Sequence, residues 1–391
     1  HAEYNLISYP AIPEDNSIQN IFSDIGAQVL SVITEGQAST QLGDGWYGSI
    51  SNIDPAKGYW LRAPDDDSIA QDTIYHIVSD AIPTPQGFEY SIHEDYNLVS
   101  YIGVDGVSIS DALPDHAEQN FTSIIGEGEA TIQLSDGWYG SLSSFYRNKG
   151  YWIRSQSLDS VLFSWNIPDT EILFANRPNK QKKKLRPDFL DYNQSIKQAF
   201  YFIENIFLED ETISITNNDW IVAFNNSTVV GARRWNGRYT DVPVMGSDGT
   251  EITSGYVKDG ETPSFKLYLD STGEFIELES SELDIWSDMS TNLVSRLTES
   301  LPIPDTFEFT QPYPNPFNPS TMLSFSIPEY SSVKVNVYDI LGQRVDVIVD
   351  SDLEAGYYNY NWKPHYLSSG IYFINIETNT NSLTQKVMYI K

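Results

Sequence analysis

Two stretches decide how this chain is read: "EGQASTQLGDGWYGSI" at Glu35–Ile50 and "EGEATIQLSDGWYGSL" at Glu127–Leu142. They lie 92 residues apart, and the same offset carries Tyr4 of "YNLISY" onto Tyr96 of "YNLVSY" and Lys57 of "KGYWLR" onto Lys149 of "KGYWIR". A register that does not drift over so many anchors is a tandem duplication. The first copy runs over residues 1–83 and the second over 84–168. Within each copy the segments are short, alternating or apolar, and punctuated by Gly, Pro, Asn and Asp, as strands joined by turns are. "SIQNIFSDI" at Ser17–Ile25 is the exception: Ile18, Ile21, Phe22 and Ile25 fall at helical spacing behind a Ser17 N-cap, which predicts one short helix per copy.

Strand alternation sorts the repeated aromatics. In "KGYWLR" it puts Tyr59 and Leu61 on one face and Trp60 and Arg62 on the other, so one aromatic of each pair is core. A buried Trp costs about 3–5 kcal/mol on truncation, reason enough for packing alone to keep it. The outward partners, Tyr47 and Trp60 with their counterparts Tyr139 and Trp152, are the candidate platforms for stacking sugar rings or protein side chains.

Composition narrows the function classes. The apolar set leans to Tyr (25), Phe (18) and Trp (9), which favours pleated structure. A formal charge of −31 repels phosphate backbones and anionic lipid, so nucleic acid is not an expected partner. The absence of cysteine removes disulfides, thiolate metal sites and cysteine nucleophiles together. No apolar run reaches the roughly 18 residues of a membrane-spanning helix. The start at His1, without methionine, is what a processed secreted chain or a trimmed one looks like.

After the repeats the composition shifts. "RPNKQKKKLRP" marks a basic linker over residues 169–190, in which Lys180, Lys182, Lys183 and Lys184 could dock on an acidic face of the same chain or of another copy. Residues 191–300 return to strand patterns, "AFYFIENIFL", "DWIVAFNN", "STVVGARRW", "PSFKLYLD" and "EFIELES", and form a third β module. Its loop "DVPVMGSDGTEITSGY" carries Asp241, Asp248 and Glu251, oxygen ligands that calcium could use; the full calcium-loop pattern is missing, and a turn built by Asp248 and Gly249 is the simpler reading. Calcium is the one cofactor the sequence suggests.

The last segment, residues 301–391, is the most specific. "YPNPFNPSTMLSFSIPE" at Tyr313–Glu329, "VKVNVYDILGQRV" at Val333–Val345, "LEAGYYNYNW" at Leu353–Trp362, "SSGIYFINIET" at Ser368–Thr378 and the terminal "TQKVMYIK" resemble, in order, the C-terminal sorting domain of type IX secretion substrates. The stretch "NWKPHYLSSG" departs from the family's shorter acidic turn. Independently of the family, Val333, Val335 and Val337 alternate with polar residues, as do Tyr372, Ile374 and Ile376, which predicts a seven-strand immunoglobulin-like sandwich. The resemblance implies recognition by outer-membrane export machinery and a secreted or cell-surface location.

Catalytic signatures are missing: no phosphate-binding glycine loop, nucleophile elbow or H-E-x-x-H occurs. His1 could chelate copper through its amine and ring, as in secreted polysaccharide monooxygenases, but the repeat offset places His93 at the same position with no free amine. The chain is thus expected to be mainly β, a string of separate sandwich-like beads: two homologous repeats, a third module and a sorting-type sandwich. The expected role is non-catalytic, structural or adhesive at the cell surface, acting on other copies or other surface proteins and able to build filaments or a surface layer. The alternative is glycan binding by the exposed aromatics.

Overall fold

The computed structural model describes residues 3–25, 28–43, 45–64, 80–168, 186–210, 212–300 and 304–391. The chain is mainly β, and it divides into two compact units, His1–Glu299 and Ser300–Lys391.

Each repeat builds one antiparallel five-stranded sheet. In the first the order is Glu3–Ser8, Gly58–Ala63, Ser31–Thr34, Gln37–Leu42, Gly45–Gly48; in the second it is Asp95–Ser100, Gly150–Ser155, Phe121–Ile125, Ala130–Leu134, Gly137–Gly140. The two orders are the same, and so are the registers: Leu6 faces Trp60 as Leu98 faces Trp152, and Gln41 faces Trp46 as Gln133 faces Trp138. Alternation works as read. Tyr59 and Leu61 enter the first core beside Phe22, Val32 and Ile53, and Tyr151 and Ile153 enter the second. Trp46 packs on Phe22 with ring centres 5.2 Å apart. In the repeated "WYG" the glycine is obligatory, because a Cβ at Gly48 or Gly140 would lie 2.2 Å from the carbonyl oxygen of Ala38 or Ala130.

The helices are shorter than the spacing predicts. Among the described residues the first repeat has one α-helical turn, Ile18–Ile21, with the Ser17 hydroxyl capping the Asn20 N–H at 3.3 Å; the second has two, Ile109–Ala112 and Asp115–Glu118. Four residues bury one or two side chains each, which is all the helix has to contribute beside a sheet.

The third module is a two-sheet sandwich. One sheet has the order Thr240–Met245, Gln198–Ile203, Thr291–Val294, with the last pair parallel; the other runs Ile206–Phe207, Leu297–Glu299, Glu274–Glu279, Ser264–Leu269, Trp220–Asn225, Thr228–Arg234. Strand Gln198–Ile203 is buried along its whole length. Ala199, Tyr201 and Ile203 fill the sandwich, whereas Phe200 and Phe202 point out of it into the second repeat, against Ile125, Ala130 and Ile132.

The first 299 residues therefore do not form separate beads. The sequence assigns each module its own core correctly, but the faces left over are apolar too, and burying them at about 25 cal/mol per Å² joins the modules into one unit.

The C-terminal unit is a sandwich of three and four strands. Glu308–Phe309, Thr321–Ile327 and Gly356–Trp362 form one sheet; Arg344–Leu353, Ser331–Tyr338, Gly370–Glu377 and Ser382–Tyr389 form the other. Val333, Val335, Val337, Ile374 and Ile376 meet Leu323, Phe325 and Trp362 in its core, as the alternation requires. Gly342 turns the chain at positive φ, with the Asp339 carboxylate accepting from the Leu341 and Gln343 amides at 2.9 and 2.8 Å.

Candidate binding faces

The tryptophans expected as outward platforms are used inside the molecule. Trp60 is 2% exposed and clusters with Tyr4, Leu6 and Leu98; Trp152 is half-buried between that cluster and the one formed with the third module. They do leave the repeat cores, as alternation says, but the face they occupy is where the repeats meet.

That meeting is reciprocal. The Leu6 N–H donates to Glu127 Oε2 at 2.9 Å, and the equivalent Leu98 N–H donates to Glu35 Oε2 at 3.2 Å. Ile7 bridges Lys149 as Val99 bridges Lys57, and the Ser8 N–H donates to Asn148 O at 3.0 Å as the Ser100 N–H donates to Ala56 O at 2.9 Å. Gly58 and Gly150 touch at this local two-fold: a Cβ on Gly58 would come 3.0 Å from Gly150 Cα, and one on Gly150 would come 3.1 Å from Gly58 Cα. Beside it His93 Nε2 lies 2.6 Å from Glu35 Oε1, and the neighbouring Glu94 carbonyl, then Glu35, raise the imidazole's affinity for a proton.

The two tyrosines of the "WYG" strands have different fates. Tyr139 is half-buried, its ring 4.9 Å from that of Tyr239 in the third module; Tyr47, its counterpart, is 58% exposed. Next to Tyr139 the modules are pinned by Asp241. Its Oδ2 accepts from the Ser141 hydroxyl at 2.6 Å, from Arg233 Nη2 at 3.1 Å and from the Ala130 amide at 3.3 Å. Arg233 also donates to the Gly128 carbonyl at 2.6 Å. Burial pushes the Asp241 carboxyl up, and Arg233 and Ser141 pull it back.

Asp241 is thereby engaged away from Asp248 and Glu251, with which the sequence offered it as a ligand for calcium. Asp248 is a turn former: Oδ1 accepts from the Thr250 amide at 3.0 Å and from the Thr250 and Thr253 hydroxyls at 2.6 and 2.7 Å. Glu251 is exposed at the start of the next 3₁₀ turn, and among the described residues no three His, Cys, Asp or Glu side chains are placed to hold a metal. Lys180, Lys182, Lys183, Lys184 and His1 lie outside the described residues.

The structure adds an aromatic ledge that the sequence reading passed over. On the outer face of the six-stranded sheet, Tyr268 and Phe275 face each other across strands with ring centres 5.1 Å apart, Phe224 lies 6.1 Å from Phe275, and Phe189 leans on Tyr268 at 5.1 Å. Phe189 is 54% and Phe275 42% exposed. Lys266 stands over the Phe224 ring and pairs with Glu277 at 2.5 Å, which gives the ledge a charged border. The signal was present: in "SFKLYLD" and "EFIELE" the residues out of phase with the buried set include Tyr268 and Phe275.

In the C-terminal unit, the ordered strands and turns carry the tail motifs at the positions given above, and residues 311–391 match the model of the secretion system C-terminal sorting domain. The C-terminal unit carries this sorting domain. The chain is accordingly a secreted protein, delivered to the cell surface or the extracellular space, and none of its described helices is long and apolar enough to cross a membrane. No curated protein matches the chain. Among solved structures, dimeric latent PorU from Porphyromonas gingivalis is similar over 88% of this chain and 36% of that one, at 8% identity and a TM-score of 0.18. The chain spans little more than a third of that protein's length.

Proposed function

We propose that this secreted chain is a non-catalytic structural or adhesive protein, in which the first unit offers sheet faces to other molecules while the sorting domain directs export. The observation that carries this reading is the aromatic ledge of Phe189, Phe224, Tyr268 and Phe275, held by strands whose opposite side is a filled core. Apolar rings kept at the surface on a built sheet, with a charged border, have the composition of a contact surface rather than of a reaction site. Asp219, on the loop that leads into one of its strands, is engaged in holding the fold, accepting from the Thr216 and Asp270 amides at 2.6 and 2.9 Å. Glycan stacking loses Trp60 and Trp152 to the repeat interface and has weaker support.

The test is retention of the purified chain on cells of its own kind and on immobilised copies of itself, with a Phe189→Ser, Phe275→Ser double variant. Loss of roughly thirtyfold in retention is expected, the effect of removing two contact aromatics worth about 1 kcal/mol each. Unchanged retention on both surfaces removes the reading. Electron microscopy of the secreted material then separates assembly into filaments from adhesion by single molecules.

A further inference from the structure

The repeats carry the same face twice, and the third module covers only one of them. In the second repeat it is closed: Ala130 and Ile132 are buried, Leu134, Tyr139 and Ser141 are half-buried, and the polar groups along its rim engage the Arg233–Asp241 pair and the Tyr239 ring. The equivalent residues of the first repeat are Ala38, Thr40, Leu42, Tyr47 and Ser49, with Gly36 at the position of Gly128, and all six are exposed. The hairpin that presents them is the same, since Gly36 and Gly128 turn it at φ of 66° and 68°.

The docking groups are kept as well. The Ala130 N–H and Ser141 hydroxyl converge on one carboxylate oxygen; in the first repeat, where no carboxylate of the described residues arrives, the Ala38 N–H donates to Ser49 Oγ at 3.1 Å and the Ser49 hydroxyl turns back to Ala38 O at 3.3 Å. The two groups close on each other, and exchanging that exposed contact for a carboxylate would leave neither unpaired. The Gly36 carbonyl stands where Gly128 receives a guanidinium, and the Tyr47 ring where Tyr139 receives Tyr239.

We infer that the open face of the first repeat is a docking site for a β module of another protein, one that presents an aromatic ring and, two residues further on, an arginine-paired aspartate, the chemistry of Tyr239, Asp241 and Arg233 in this chain. A second copy is disfavoured as occupant, because its own Tyr239 and Asp241 are already buried against its second repeat. The exchange of Ile132 for Thr40 makes the open face more polar than the closed one, as suits a partner that comes and goes. This site is separate from the aromatic ledge, so each can fail alone.

The probe is a cyclised peptide spanning residues 231–243 of this chain, which holds all three docking residues, titrated into the full chain and read by chemical-shift changes at Ala38 and Tyr47. Saturable binding is expected. Both a Tyr47→Ala, Ser49→Ala chain and a peptide with Asp241→Ala should weaken it roughly tenfold or more, as loss of an anchor does. Absence of saturation, or binding that neither change weakens, overturns the inference. Self-association of the full chain that is lost in the Tyr47→Ala, Ser49→Ala variant but resists the peptide overturns it in favour of a second copy.

Discussion

Replacing Asp241 by alanine tests whether the second repeat and the third module are held by the pin described above. The side chain is 3% exposed, and its removal deletes one charge and three accepted hydrogen bonds. Arg233 keeps the Asp241 main-chain carbonyl at 2.8 Å and Gly128 O at 2.6 Å, but loses the Asp241 counter-charge with its side chain 24% exposed. Breaking a buried pair from one side costs about 3–5 kcal/mol; the two surviving carbonyls place this case near the lower end, about 3 kcal/mol. Asp241→Asn retains an oxygen acceptor and should cost less, about 1–2 kcal/mol. Urea unfolding of the full chain reads both values, with the transition of the C-terminal unit as an internal reference that must not move. Ser141→Ala should cost about 1 kcal/mol, whereas Ser49→Ala, the same substitution on the open copy, should stay within about 0.5 kcal/mol. If Asp241→Ala costs under 1 kcal/mol, or if the two serines behave alike, the modules are held by something else.

Two further outcomes follow from single side chains. Gly150→Ala should destabilise by about 2 kcal/mol and Gly58→Ala by about 1, because the new Cβ meets the Ile7 carbonyl at 2.9 Å in the first case and the movable Leu98 Cδ1 at 2.7 Å in the second; equal costs in thermal or urea melts would contradict the packing at the two-fold. Asp288 is half-buried, and burial pushes its carboxyl up to about 6 from an ordinary 3.8. Its ionisation therefore opposes folding: stability is intact below pH 3.8 and falls as pH rises through about 6, by at most about 3 kcal/mol for full burial and about 1–2 at this exposure. Asp288→Asn keeps an acceptor for the Gln198 amide and should flatten the urea midpoint between pH 4 and 6.5; an unchanged slope refutes the assignment.

What the sequence made legible follows from what alternation can know. It places Tyr59, Leu61, Val335 and Ile374 inside because period two fixes the face, and it recovers the seven tail strands for the same reason. It also puts Trp60 on the opposite face correctly, yet cannot say that this face meets its own copy 92 residues away. Burial by a distant segment leaves no local period. The same blindness offered Asp241 beside Asp248 as a ligand that calcium could use, because they are close in sequence, when the partners that matter to Asp241 are Arg233 on a neighbouring strand and Ser141 in another module. The helix was over-extended because Ile18, Ile21, Phe22 and Ile25 fit a helical stripe that a single turn satisfies in part, the rest of the core being supplied by the sheet.

The duplication gives the asymmetry a physical cause. Two copies in one chain are held at high effective concentration, so a reciprocal interface forms inside the molecule without a dimerisation step. Main-chain contacts on that axis are then present twice, as the Leu98–Glu35 and Leu6–Glu127 bonds are. A third module that follows only the second copy cannot respect a two-fold, because one partner cannot cover two equivalent faces. One face must stay open. Left as apolar as its twin it would be sticky wherever the protein is secreted, and the change of Ile to Thr at position 40 relieves that, while Leu42 at 60% exposure and Tyr47 at 58% keep enough surface to be recognised. A face that had lost its use would be expected to shed such rings for charge; this one has kept its ring, its hydroxyl and its hairpin.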